Sequence, residues 1–175
     1  MNEAPPTRIF LVGFMGAGKT TVGKVLAARL DYEFVDLDDV IEAKAGRSVR
    51  AIFAELGELQ FRRLESEAIL SCGAMSRTVV ALGGGAYVGE SNRLAVREMG
   101  MSFWLDCPLE VCMSRLGSDP SRPLLGSEAA MQALLERRIG SYVLADYLVA
   151  TGDANPDEVA DAIIKVLIPT DQGAG

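Results

Sequence analysis

One run of eight residues, Gly13-Phe14-Met15-Gly16-Ala17-Gly18-Lys19-Thr20, limits the possible architectures of this chain more than any other feature. It matches G-x-x-x-x-G-K-[ST] and lies between an apolar stretch, Arg8 to Val12, and a segment of helical period, Lys19 to Leu30. That segment places Val22, Val25, Leu26 and Leu30 on one face. A strand, a glycine-rich turn and an amphipathic helix in this order open a parallel β-α-β unit. The turn curls its N–H groups around phosphate oxygens, and the helix N-terminus adds a favourable dipole. Gly13, Met15, Gly16, Ala17, Gly18 and Thr21 therefore line an ATP phosphate site, with Lys19 reaching the β/γ oxygens and Thr20 holding Mg²⁺.

The remainder of the chain continues the alternation. Extended segments are expected at Arg8 to Val12, Glu33 to Asp36, Thr78 to Leu82, Ser102 to Asp106 and Asp146 to Ala150. They imply an α/β fold with one doubly wound five-stranded sheet. The segment from Asp38 to Cys72 reads as three successive helices, with Asp39 and Glu42 fitting a capping box and Gly46, Gly57 and Gly100 placed where helices stop. Pro108 opens the helix after the fourth strand, and Asn155-Pro156 forms an N-cap followed by proline at N1 for a helix over Asp157 to Ile168. Gly117 to Ser127 is long enough for a mobile flap, and the tail 169–175 is expected to be flexible.

With 175 residues, 49% of them hydrophobic, the chain is the size of a single domain with a substantial core. Its 24 acidic against 17 basic residues give a net charge of -7, which opposes binding to nucleic acid or an anionic membrane. The N-terminus has two prolines and an acid but no basic region, and no apolar stretch reaches spanning length, so a cytoplasmic protein is expected. Cys72, Cys107 and Cys112 form no CxxC pair and read as reduced buried thiols. With no histidine in the sequence, mixed Cys/His zinc sites and His-based nucleophilic mechanisms are excluded.

A phosphate loop of this kind needs a second Mg²⁺ anchor, commonly an acid at the end of a neighbouring strand. The third strand ends in Gly83-Gly84-Gly85 and offers no carboxylate, whereas the second delivers Asp36 and Asp38. Their period-2 spacing points both to one side if the strand continues that far. Asp36 is assigned to the metal and Asp38 to the acceptor hydroxyl, helix capping being the competing use of either acid. Glu58, Arg62 and Glu65 have the spacing of surface ion pairs, or of an inward Arg62 braced by Glu65 and presenting its fork to a substrate carboxylate. Spacing alone does not separate the two. Arg122 in the flap is placed to meet the γ-phosphate, the alternative being a solvated loop arginine.

In order and spacing, these segments resemble the shikimate kinases of the nucleoside-monophosphate-kinase-like P-loop branch, from Ile9 to about Val166. GFMGAGKT is shared with many kinases, but FVDLDDVIE, GRS, GELQFRRLE, GGG and RPLL together are specific. The resemblance implies three layers, a sheet order of 2-3-1-4-5, a helical acceptor-binding segment near 37–65 and a lid near 117–127. It implies that Asp38 bonds shikimate hydroxyls, that Arg62 with Arg138 holds the carboxylate, and that Gly83, Gly84 and Gly85 line the acceptor, the last two through backbone N–H groups. Phe53 and Phe61 become its apolar wall, Arg122 the lid arginine, Arg115 the neighbour of adenine and Asn155-Pro156 the turn at the adenine edge.

One departure stands out. The family usually reads R-x-P-x-Y where this chain has Arg138-Ile139-Gly140-Ser141-Tyr142, which leaves Arg137 as a competitor of Arg138. The implied activity is transfer of the γ-phosphoryl of Mg-ATP to the 3-hydroxyl of shikimate by a cytoplasmic monomer of chorismate biosynthesis. The mechanism is in-line, catalysed by positioning and charge neutralisation through Lys19, Arg122 and Mg²⁺, with Asp38 orienting the nucleophile. The rivals are another small-molecule kinase of this fold, such as a gluconate or nucleotide kinase, and a non-catalytic nucleotide-binding module.

Overall fold

The computed structural model describes residues 6–117 and 127–168. Arg122, most of the expected lid and the tail 169–175 lie outside the described residues. Five strands, β1 (Arg8–Val12), β2 (Glu33–Asp36), β3 (Thr78–Ala81), β4 (Met101–Asp106) and β5 (Tyr147–Ala150), form one sheet in the order β2-β3-β1-β4-β5. Every pairing is parallel, and Leu11 faces Ala81 on one side and Phe103 on the other.

The sequence pattern explains the order of burial. Parallel strands covered on both faces read as unbroken apolar runs, and Ile9, Phe10, Leu11 and Val12 in central β1 are at most 1% exposed. All of β3 is buried as well. The edge strands β2 and β5 carry more polar or exposed positions.

Helices cover the two faces and connect the strands: α1 (Lys19–Leu30), α2 (Leu37–Ala45), α3 (Val49–Ser71), α4 (Glu90–Met99), α5 (Leu109–Gly117), α6 (Glu128–Tyr142) and α7 (Pro156–Leu167). On one side α1 packs against α7, while α3 meets α4, and α5 meets α6. Gly57 breaks α3 with φ 79 and ψ 171, so α2 and the two parts of α3 give the three helices expected between β2 and β3. At the start of α7, Asn155 and Glu158 form a reciprocal capping box with proline at N1.

The expected capping box at Asp39 and Glu42 is not formed. Asp36 caps α2 instead, its Oδ1 accepting from the Asp38 N–H at 3.1 Å, and helix begins at Leu37. Three acids in four positions all satisfied the local preference, and β2 ends at Asp36 as expected but passes straight into helix at Leu37. Glu42 serves the next helix, accepting from the Val49 N–H at 2.7 Å.

Candidate active site

The turn after β1 presents phosphate-binding geometry through its backbone. Gly16 and Gly18 adopt φ 77 and φ 93, conformations that a residue with a Cβ enters only under strain. A Cβ on Gly16 would also come within 2.6 Å of the Cys112 carbonyl oxygen. Side chains of Asp36, Ser48, Ser127 and Asn155 cap α2, α3, α6 and α7, whereas no side chain among the described residues caps α1. The same holds for α4, but at α1 the open first-turn N–H groups meet the glycine-rich turn, an arrangement suited to an anion. Lys19 folds back over the same loop, donating to the carbonyls of Gly13 at 2.9 Å and Phe14 at 2.8 Å.

A cleft of about 410 Å³ opens here at the carboxyl ends of the strands, lined by Met15, Lys19, Thr20, Asp36, Asp38 and Gly83 among others. Thr20 Oγ1 donates to Asp36 Oδ2 at 2.7 Å, while the other oxygen of that carboxylate caps α2. Asp38 therefore reaches the cleft from the first turn of a helix. Both acids face one space as anticipated, although the strand has already ended at Asp36.

A neighbouring cavity of about 240 Å³ is bounded by Ala17, Gly18, Thr21, Arg115, Thr151 and Pro156. Arg115 lines both spaces and donates to the Gly16 carbonyl at 3.3 Å. Asn155 stands beside this cavity in sequence, with its side chain accepting from the Glu158 N–H at 3.0 Å.

Across the cleft, the glycine triplet after β3 meets four charged side chains. A Cβ on Gly83 would lie 3.1 Å from Asp38 Oδ1 and 3.2 Å from Glu65 Oε1. One on Gly84 would lie 3.3 Å from Arg138 Nη1, and one on Gly85 only 2.5 Å from Arg62 Nη1. The lack of a carboxylate at the end of β3 thus has a packing reason: these positions give their volume to charged groups delivered by α2, α3 and α6.

Arg62 makes both ion pairs that the spacing allowed, but they differ in kind. Glu58 is 69% exposed at 3.2 Å, whereas Glu65 is 1% exposed at 2.8 Å. The inner pair turns the guanidinium toward Gly85. Burial pushes the Glu65 carboxyl up from its ordinary value, partly offset by the Arg62 hydrogen bond, and the nearby Asp38 charge adds to the rise. Arg138 points inward over the Phe14 ring at 5.9 Å, while Arg137 is exposed. Phe61 is 4% exposed and packs against the more exposed Phe53 with ring centroids 4.4 Å apart and planes tilted by 34°, and Arg62 lies over the Phe61 ring at 5.4 Å.

Two buried polar atoms of this wall, Glu65 Oε1 and Arg138 Nη1, have no hydrogen-bond partner among the described residues. Buried polar groups are nearly always paired, so an orphaned acceptor beside Gly83 and an orphaned donor beside Gly84 are positions able to take a ligand's polar groups. Sequence reasoning cast Glu65 only as a brace and passed over Phe14 and Tyr142. The last lies one helical turn beyond Arg138 on the same face of α6, a periodicity that would have pointed to it.

The sequence profile of the shikimate kinase family matches residues 15–168. The shikimate kinase of Geobacter sulfurreducens is 46% identical over 158 residues, covering 89% of this chain and 87% of the relative. That of Microcystis aeruginosa is 40% identical over 173 residues, with 97% and 90% coverage. Among solved structures, shikimate kinase from Acinetobacter baumannii in complex with shikimate superposes with a TM-score of 0.88 at 35% identity, covering 98% of this chain and 97% of that one. Deoxyadenosine kinase from M. mycoides, at 12% identity and a TM-score of 0.63, shares the fold. The chain belongs to the shikimate kinase family.

Proposed function

We propose that this chain transfers the γ-phosphoryl group of Mg-ATP to the 3-hydroxyl of shikimate, a step of chorismate and aromatic amino acid biosynthesis. The observation that carries the reading is the pair of orphaned buried atoms, Glu65 Oε1 and Arg138 Nη1, beside Gly83 and Gly84 of the glycine triplet. A small ring with a carboxylate at one end and hydroxyls along its edge satisfies both. Its carboxylate meets Arg62 and Arg138, and its hydroxyls meet Asp38 and the Glu65 side. Gly83, Gly84 and Gly85 pass beneath it, their missing side chains leaving the backbone N–H groups in reach, while Phe53 and Phe61 form the apolar wall.

The nucleotide occupies the other half. Its phosphates lie in the turn from Gly13 to Thr21, and its base lies toward Arg115 and the Asn155-Pro156 turn that borders the second cavity. Thr20 and Asp36 suit Mg²⁺: they offer two hard oxygens already 2.7 Å apart, and a magnesium ion that keeps waters and phosphate oxygens needs no larger protein cage. Bound there, the ion would neutralise charge on the β- and γ-phosphates.

The protein's own part in the reaction is positioning and charge stabilisation. Asp38, held on the first turn of α2, accepts a hydrogen bond from the attacking hydroxyl and orients it toward the γ-phosphorus. Lys19 swings from its carbonyl contacts to the transferring phosphoryl group, and Arg122 is assigned the same group from the lid. Action as a monomer is part of this reading. A cytoplasmic setting belongs to the same reading, in which the three buried cysteines stay reduced.

A coupled ADP-release assay decides the matter, run with shikimate, gluconate and nucleoside monophosphates as acceptors. Turnover confined to shikimate is the expected outcome. Equal or faster turnover with either competitor would defeat the substrate assignment.

A further inference from the structure

We infer that Tyr142 is a positioning residue for the acceptor, its hydroxyl fixing the Gly84–Gly85 peptide plane and thereby aiming the Gly85 N–H. The inference rests on the acceptor site proposed above. In the turn following β3, the Gly83 carbonyl accepts from the Ala86 N–H at 3.0 Å and the Gly85 carbonyl from the Val88 N–H at 3.1 Å. The Ala86 carbonyl accepts from Asn92 Nδ2 at 2.9 Å and the Tyr87 carbonyl from Arg93 Nη1 at 3.1 Å. Within the glycine triplet, among the described residues, only the Gly84 carbonyl is tied from outside this turn and the helix after it, and its donor is the hydroxyl of Tyr142.

That one contact has leverage because of where it falls. A peptide flanked by two glycines has the freest rotation a chain offers, since no Cβ restricts either side. In a planar trans peptide the C=O of one residue and the N–H of the next point in opposite directions. Holding the Gly84 oxygen therefore sets the direction of the Gly85 N–H, one of the groups assigned to the acceptor.

The donor itself is firmly held. Tyr142 is 1% exposed and packs against Trp104, with ring centroids 6.1 Å apart. Burial pushes its phenol up to about 12, so the hydroxyl keeps its proton at any working pH. Arg138 lies one turn earlier on the same helix, with Nη1 3.3 Å from the position of a Gly84 Cβ. One helix face thus sets both a guanidinium and a backbone donor of the acceptor site.

The test is Tyr142→Phe, which keeps the ring and removes only the hydroxyl. The expected result is a rise of about tenfold in the acceptor KM, the scale of one hydrogen bond, with the ATP KM unchanged. Amide hydrogen exchange over 83–86, measured without acceptor, is expected to accelerate in the variant. Unchanged exchange there overturns the inference whatever the turnover shows. Faster exchange with an unmoved acceptor KM, or with ATP and acceptor KM rising together, overturns it as well. Because exchange needs no substrate, a wild-type protein that failed to phosphorylate shikimate would sink the substrate reading while Tyr142 was still judged.

Discussion

Alanine at Gly85 would bring a methyl group to 2.5 Å from Arg62 Nη1 and 2.7 Å from Nη2. The obstacle is the far end of a flexible side chain, so folding tolerates the change while the guanidinium is pushed from its place. Gly85→Ala is therefore expected to raise the shikimate KM by about tenfold or more with little change in Tm, read by steady-state kinetics beside a thermal melt. Asp38→Asn keeps the shape of the cleft but removes the charge that orients the hydroxyl. Turnover is expected to fall by about a hundredfold or more while ATP still binds with its wild-type Kd, and near-normal kcat would remove Asp38 from the mechanism. At this scale the sequence was legible where a motif has no other use, as at Lys19 and Thr20. It was silent at Arg62, because Glu58 and Glu65 both sit at helical spacing and only burial, 69% against 1% exposed, separates a solvated pair from an inner one.

At the scale of elements, the central strands were readable because burial on both faces demands unbroken apolar runs, and the start of α7 because Asn155, Pro156 and Glu158 all name the same boundary. The start of α2 was misplaced for the opposite reason: Asp36, Asp38 and Asp39 compete for one role, and only the end of β2 decides among them. The α7 cap offers a direct check. Asn155→Ala removes an acceptor 3.0 Å from the Glu158 N–H and should destabilise the protein by about 1 kcal/mol, seen as a fall of the denaturant midpoint at constant m. Because Pro156 borders the second cavity, the ATP KM should rise in the same variant. In α6, Gly140 replaces the proline usual in the family without ending the helix, which runs on to Tyr142. The helix thus delivers Arg138 inward and leaves Arg137 exposed, an outcome that two adjacent arginines in a sequence do not reveal.

The molecule as a whole should register the burial of Tyr142 as a dependence of stability on alkaline pH. Its phenol is raised from 10.0 to about 12 in the folded state, so between these values the folded protein holds a proton that the unfolded chain has lost. Stability contributed by the neutral phenol is complete below pH 10 and is lost as pH rises toward 12, amounting to roughly 3 kcal/mol across the window. Urea unfolding of wild type and Tyr142→Phe at pH 9 and pH 11 measures it, with the steeper decline expected for wild type. The α/β class and the strand order followed from alternation and resemblance, whereas the closeness of two half-sites contributed by distant segments is a property of the folded sheet alone. Asp36 shows what that closeness entails, because one of its oxygens takes the Thr20 hydroxyl and the other the Asp38 amide. A carboxylate is flat and turns as a single piece, so a tug on either oxygen is felt at its twin. The phosphate end and the hydroxyl end of the cleft hang from the two arms of one lever.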